Sequence, residues 1–89
     1  MLSTVWLEID GVKIRNTPAN RMLQMLYNNP RIWFPVCEIL HCKRTAGHMR
    51  LKRAREAIRL LDPLLGATLA DVEWRGEWAM LSTTYQKCD

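Results

Sequence analysis

Asp10-Gly11 stands between two stretches of strand-forming residues, Val5-Trp6-Leu7-Glu8-Ile9 and Val12-Lys13-Ile14, and few dipeptides restrict a chain more. The two central residues of the tightest hairpin turn both need positive φ, which Asp tolerates and Gly adopts without strain. The spacing predicts an N-terminal β-hairpin that covers one side of a helical core. A second glycine turn, Arg75-Gly76, lies between a loosely alternating stretch, Leu69 to Trp74, and a returning one, Glu77 to Leu81. It predicts a C-terminal hairpin.

Between the hairpins the apolar period becomes helical. Asn16-Thr17-Pro18 opens a first helix, because Thr17 can cap free backbone N–H groups and Pro18 suits the first helical position. Ala19, Met22, Leu23 and Leu26 follow at helical spacing, and Asn28-Asn29-Pro30 ends the run. Trp33 and Phe34 are apolar bulk in the connection. Pro35 is expected to start a short second helix with Val36, Ile39 and Leu40 as its buried side. Lys43 and Arg44 then fall near its end, and Thr45-Ala46-Gly47 makes a turn. A longer third helix is expected from about Ala46 to Leu61, with Leu51, Ala54, Ile58 and Leu61 as its apolar stripe. Asp62-Pro63 stops it, since the residue before proline avoids the helical region, and Gly66 marks a further turn. The expected class is α+β: N-terminal β-hairpin, three helices and C-terminal β-hairpin over residues 1–82, with 83–89 as a polar tail. This is the plan of a winged helix-turn-helix domain, with the C-terminal β-hairpin as the wing.

A chain of 89 residues is material for one domain, and at this size about 60–65% of the unfolded surface is buried on folding. The hydrophobic share of 48%, with four Trp and five Met, argues against disorder. No apolar run approaches the roughly 20 residues of a membrane span. Met1-Leu2-Ser3-Thr4 has neither the basic nor the apolar part of a secretion signal. Three Cys without such a signal fit reduced thiols, so the expected location is cytoplasmic.

Several stretches match one known pattern in order and spacing: Asp10-Gly11 followed by Asn16-Thr17-Pro18, Leu23 and Leu26, Asn29-Pro30, Glu38-Ile39-Leu40, and Trp74-Arg75-Gly76-Glu77-Trp78. In these the sequence resembles the C-terminal effector domain of OmpR/PhoB-type response regulators, over residues 5 to 82. Asn20 and Arg21 replace an acidic and an aromatic residue of that family, and the last motif is short of a glycine. The resemblance implies a DNA-binding regulator of transcription that places its third helix in the major groove and its C-terminal hairpin alongside as a wing. No receiver domain is present, so the expected protein is a stand-alone relative of the kind phages and mobile elements carry.

Charge is distributed to match. The formal net charge is +4, from 13 basic and 9 acidic residues. Lys43, Arg44, Arg50, Lys52, Arg53, Arg55 and Arg59 lie close together, opposed only by Glu56. On a helix His48, Lys52, Arg55 and Arg59 share a face, about 100° from the apolar stripe. A recognition helix needs that division, because one side anchors while another enters the groove. Arg can hold guanine bidentately, and Lys and His can reach phosphate or base edges. Arg50 and Arg53 are expected as flanking phosphate contacts. Lys43, Arg44 and Thr45 are expected to reach phosphate from the turn. Arg75 at the hairpin tip is either a minor-groove contact or an ordinary exposed turn residue. The bland reading of the stripe is a solvated cationic face, and the flanking helix-turn and hairpin weigh against it. The expected partner is double-stranded DNA. The alternative is a protein-interaction module that binds a host or transcription-machinery protein, and a homodimer is compatible with either. No membrane or small-molecule substrate is expected.

Cys37, His41, Cys42 and His48 are spaced C-x3-H-C-x5-H, which matches no common zinc pattern. Cys37 is expected to be a small buried apolar residue and His41 exposed, with no metal and no cofactor. No glycine-rich phosphate loop, paired catalytic carboxylates or nucleophile elbow is present. A Cys37–His41 pair lacks an orienting third residue, so the chain is not expected to be an enzyme. Trp6, Trp33, Trp74 and Trp78 are expected to pack in the core or sheets rather than to stack on bases. An exposed one at either hairpin would make a partner surface.

Overall fold

The Asp10-Gly11 turn forms as its sequence predicts. In the computed structural model, which describes residues 5–82, β1 (Trp6–Ile9) pairs antiparallel with β2 (Val12–Arg15), with Ile9 opposite Val12. Both turn residues have positive φ, 50° at Asp10 and 80° at Gly11. Ile9 and Ile14 are buried, while Trp6, Glu8, Lys13 and Arg15 face outward. The first helix, α1 (Pro18–Asn28), starts on the expected cap, with Asn20 N–H donating to Thr17 Oγ1 at 3.1 Å. Its Met22, Leu23 and Leu26 are fully buried. Gln24 Nε2 donates to the Glu8 carbonyl at 2.9 Å and ties α1 to the hairpin.

The region around Pro35 departs from expectation. Pro35 does not begin a helix. Phe34–Pro35 form a short strand, β3, and α2 runs from Val36 to Leu40. Proline is tolerated there because the strand lies at a sheet edge, where its missing N–H removes no ladder bond. The buried side of α2 is Val36, Cys37 and Leu40, and Ile39 is exposed. The helix ends at His41, in the left-handed region at φ 53°, a conformation that His enters more readily than most residues.

The next helix, α3 (Arg44–Leu61), begins earlier than its apolar stripe suggests. Lys43 is its N-cap, so Lys43 and Arg44 do not lie at the end of α2. Thr45, Ala46 and Gly47 form its first turns rather than a loop. The absence of a Ser, Thr, Asn or Asp cap hides this start from propensity rules. Gly47 is buried where α2 crosses: a Cβ there would stand 3.6 Å from Cys42 Sγ and 3.7 Å from Val36. Leu51 and Ile58 enter the core, Ala54 is half-buried, and Leu61 is 65% exposed rather than packed.

A fourth helix, α4 (Pro63–Leu69), replaces the expected turn at Gly66. Its start repeats the logic of α1: Asp62 Oδ1 accepts from Leu65 N–H at 3.1 Å, and Pro63 takes the first helical position. Gly66 sits inside α4 because α3 lies against it. A Cβ there would fall 2.6 Å from Arg59 Cα. Leu65 and Leu69 are buried, so Leu69 ends a helix instead of opening a strand. Asp62→Ala is expected to cost about 1 kcal/mol through the lost cap. A lower urea midpoint at unchanged slope would record it.

The C-terminal hairpin joins β4 (Val72–Arg75) to β5 (Trp78–Leu81). Its two-residue turn is Gly76-Glu77, one position later than expected, with Arg75 paired to Trp78. Gly76, at φ 61°, supplies the positive φ that the first central position requires. Strand β3 adds to β5, with Phe34 opposite Ala79, giving an antiparallel sheet of order β3-β5-β4. The chain is thus a small α+β fold with four helices and two antiparallel sheets among the described residues. Its core draws on Ile9 and Ile14, the α1 trio, Val36, Leu40, Leu51, Ile58, Leu65, Leu69, Ala79 and Leu81. No helix among the described residues is long and apolar enough to cross a membrane. The tail 83–89 and Cys88 lie outside the described residues.

Candidate nucleic-acid interface

Helix α3 fixes which cations share a surface. Gly47, Leu51 and Ile58 mark its buried side, so at 100° per residue the outward ridge is Thr45, Met49, Lys52 and Glu56. All four are exposed, Met49 by 43%. The expected face His48/Lys52/Arg55/Arg59 is rotated about 60° from that ridge. Lys52 and Arg59 are exposed, but His48 and Arg55 are half-buried on the flank.

His48 packs onto the C-terminal hairpin. Its ring stacks on Trp74 with centroids 3.7 Å apart and planes at 24°. His48 Nε2 is buried and has no hydrogen-bond partner among the described residues. Burial, and then the nearby Arg44 and Arg55 charges, push its pKa below the usual histidine value. His48 therefore packs the hairpin against α3, and its surroundings favour the neutral ring over the cation. The sign for stability follows. The unfolded chain takes up a proton near pH 6.5 and the folded one at lower pH. The stability that neutral His48 contributes is full above that value and is lost as pH falls through the folded pKa. His48→Phe, which keeps a ring against Trp74, is expected to flatten the stability profile between about pH 7 and 5. Urea denaturation at the two ends measures it.

Arg55 is lowered by burial, with Glu56 opposing, yet stays charged at any physiological pH. Arg50 turns away from the ridge: its Nη1 reaches the Leu40 carbonyl at 3.5 Å, at the end of α2. Arg59 is exposed, but its backbone is the surface on which Gly66 rests. Arg53 is free of such packing and exposed beside Lys52.

The strongest cationic grouping gathers instead at the start of α3. Lys43 caps the helix with no side-chain hydrogen bond, Arg44 and Thr45 follow, and the first turn carries no acidic residue. All three side chains are exposed. Arg44, Thr45 and His48 line an open cleft of about 340 Å³. On the adjoining hairpin the Arg75 guanidinium lies 5.1 Å from the centre of the Trp33 ring. The indole holds this arginine beside the sheet, so it is more than a free turn residue.

Met49, exposed on the outward ridge, is the residue of this surface that sequence reading does not single out, whereas Trp74 packs against the core and His48 as expected. The i, i+4, i+7 spacing of Thr45, Met49 and Lys52 is a signal for Met49, but it reads correctly only once the helix start is known. Cys37 is buried and His41 exposed, as expected. Burial, and then Glu77, raise the Cys37 thiol, which keeps it protonated and unreactive. Comparison with known protein families, curated proteins and solved structures finds no match for this chain.

Proposed function

We propose that this chain is a winged helix-turn-helix domain of the OmpR/PhoB type that binds double-stranded DNA and regulates transcription. In this reading α2 and α3 form the helix-turn-helix and the β4–β5 hairpin is the wing. The observation that carries it is the start of α3. Lys43 and Arg44 crowd the end of an 18-residue helix that already bears partial positive charge, with no acid or capping side chain to offset them. Each such cation costs roughly 0.3–1 kcal/mol in helix stability. A local rule broken without structural compensation is characteristic of a binding site. Here the uncapped N–H groups and the two cations suit one ligand, a phosphate.

Duplex DNA fits the wider arrangement. The N-terminal half of α3 carries Arg44, Thr45, Met49 and Lys52, with Arg53 next, before any acid appears at Glu56. That is the half a recognition helix presents to base edges. The His48–Trp74 stack fixes the hairpin against α3, and Arg75, next in β4, is held beside Trp33 on the other face of that hairpin, where a wing can reach the duplex separately. Fluorescence anisotropy of a labelled duplex across salt tests the proposal. With Lys43, Arg44, Lys52, Arg53 and Arg75 on phosphates, log K is expected to fall with log salt at a slope of about −4 to −5. Absence of duplex binding at low salt removes the reading.

A further inference from the structure

We infer that the groove between the N-terminal hairpin and the C-terminal half of α3 docks an acidic segment of a partner protein, which inserts an apolar side chain. The groove encloses about 370 Å³. Ile14 and Ile58 lie at its base, with Trp6, Ala57 and Leu61 along its sides and Asn20 also lining it. Trp6 and Leu61 are 46% and 65% exposed. An exposed Trp and an exposed Leu on the two walls of one apolar recess form a contiguous patch of the kind that marks contact with another molecule.

Charge selects the occupant. Lys13 Nζ lies 5.1 Å and Arg15 Cζ 6.0 Å from the centre of the Trp6 ring. Both residues line the groove. The acid near this rim is Glu8, opposite Lys13 across the hairpin. An apolar recess with a cationic rim complements an apolar side chain set among carboxylates. A second copy of this chain would bring Lys13 and Arg15 against their own kind, in a molecule of net charge +4. A nucleic acid would gain little from Leu61 and Ala57, and the Trp6 ring it would stack on is already engaged by two cations. Among the described residues Asn20 Oδ1 is buried at this site without a donor. Its Nδ2 donates to the Arg15 carbonyl at 2.9 Å, which fixes the amide at the foot of the cationic strand.

The groove lies away from the start of α3, so this inference stands whether or not the domain binds DNA. Selection from a displayed library of random short peptides, with the full chain as bait and its Ala57→Arg variant as counter-bait, tests it. Ala57 is an exposed helical residue, and the arginine would fill the recess without entering the core. Enriched peptides are expected to be acidic with a Leu, Phe or Trp. One of them, synthesised, should shift the amide resonances of Ala57 and Leu61 and the Trp6 indole in an isotope-labelled chain. Its affinity should fall at least ~10-fold for Lys13→Glu with Arg15→Glu. Enrichment of neutral or basic peptides, no enrichment over the counter-bait, or shifts elsewhere would overturn the inference. So would displacement of the peptide by a duplex or single-stranded oligonucleotide. Concentration-dependent self-association abolished by Ala57→Arg would assign the groove to a second copy instead. Leu61→Arg provides an independent block should Ala57→Arg fail to fold.

Discussion

A chain carrying Arg44→Glu and Lys52→Glu is expected to bind duplex DNA at least ~100-fold more weakly, with its salt slope reduced by about 2. Two phosphate contacts are lost and two carboxylates face the backbone instead. Both residues are exposed and neither makes a cap, so the fold should survive. The informative part is the direction of the stability change. Arg44 opens α3, and a carboxylate there complements the helix dipole where the arginine opposes it. Arg44→Glu alone should therefore raise stability by roughly 0.5 kcal/mol while weakening binding. Anisotropy and urea denaturation on the same sample read both effects. A merely solvated basic face would show the stability gain with no change in binding. Arg55 is left intact because it is half-buried, and altering it would confound binding with packing.

Gly66→Ala is expected to be the most destabilising small substitution in the described chain. The added Cβ would stand 2.6 Å from both Arg59 Cα and Cβ. Backbone cannot swing aside as a flexible side-chain tip can, so α4 must move off α3, taking the buried Leu65 and Leu69 with it. Overpacking of this kind costs about 3 kcal/mol, or roughly 10–20 °C in Tm for a domain of this size. Thermal unfolding by circular dichroism measures it. Neutral behaviour would mean that the two helices do not cross at Gly66. DNA affinity, read where the variant is still folded, should be unchanged, since Gly66 is remote from Arg44.

The parts of this fold that the sequence discloses are those written in local chemistry. Asp10-Gly11 and Thr17-Pro18 specify a turn and a helix start without help from distant residues, and both appear as read. Asp62-Pro63 carries the same signal as Thr17-Pro18, yet it reads first as a stop for α3, although the same pair also starts α4. Phe34–Pro35 could not be read as a strand, because it is one only through pairing with β5, some 45 residues away. The site suffered from a shifted origin. Without a capping residue, α3 reads two residues short. The cationic residues are legible in the sequence but their directions are not: His48 and Arg55 turn inward, and Arg50 turns toward α2. Helical spacing says which residues share a face, and only packing says which face meets solvent.

The pairing of Phe34 with Ala79 makes the C-terminal hairpin a record of the rest of the fold. Two of its partners, β3 and the His48 ring, come from either side of α2, so neither is in place until the helices around them have packed. Non-local pairing of this kind gains nothing until the intervening chain is ordered. A chain with its helices half assembled would therefore present the cations of α3 without the hairpin packed against His48. The complete cationic surface exists only on a finished molecule, and partly folded copies would compete poorly for whatever that surface holds.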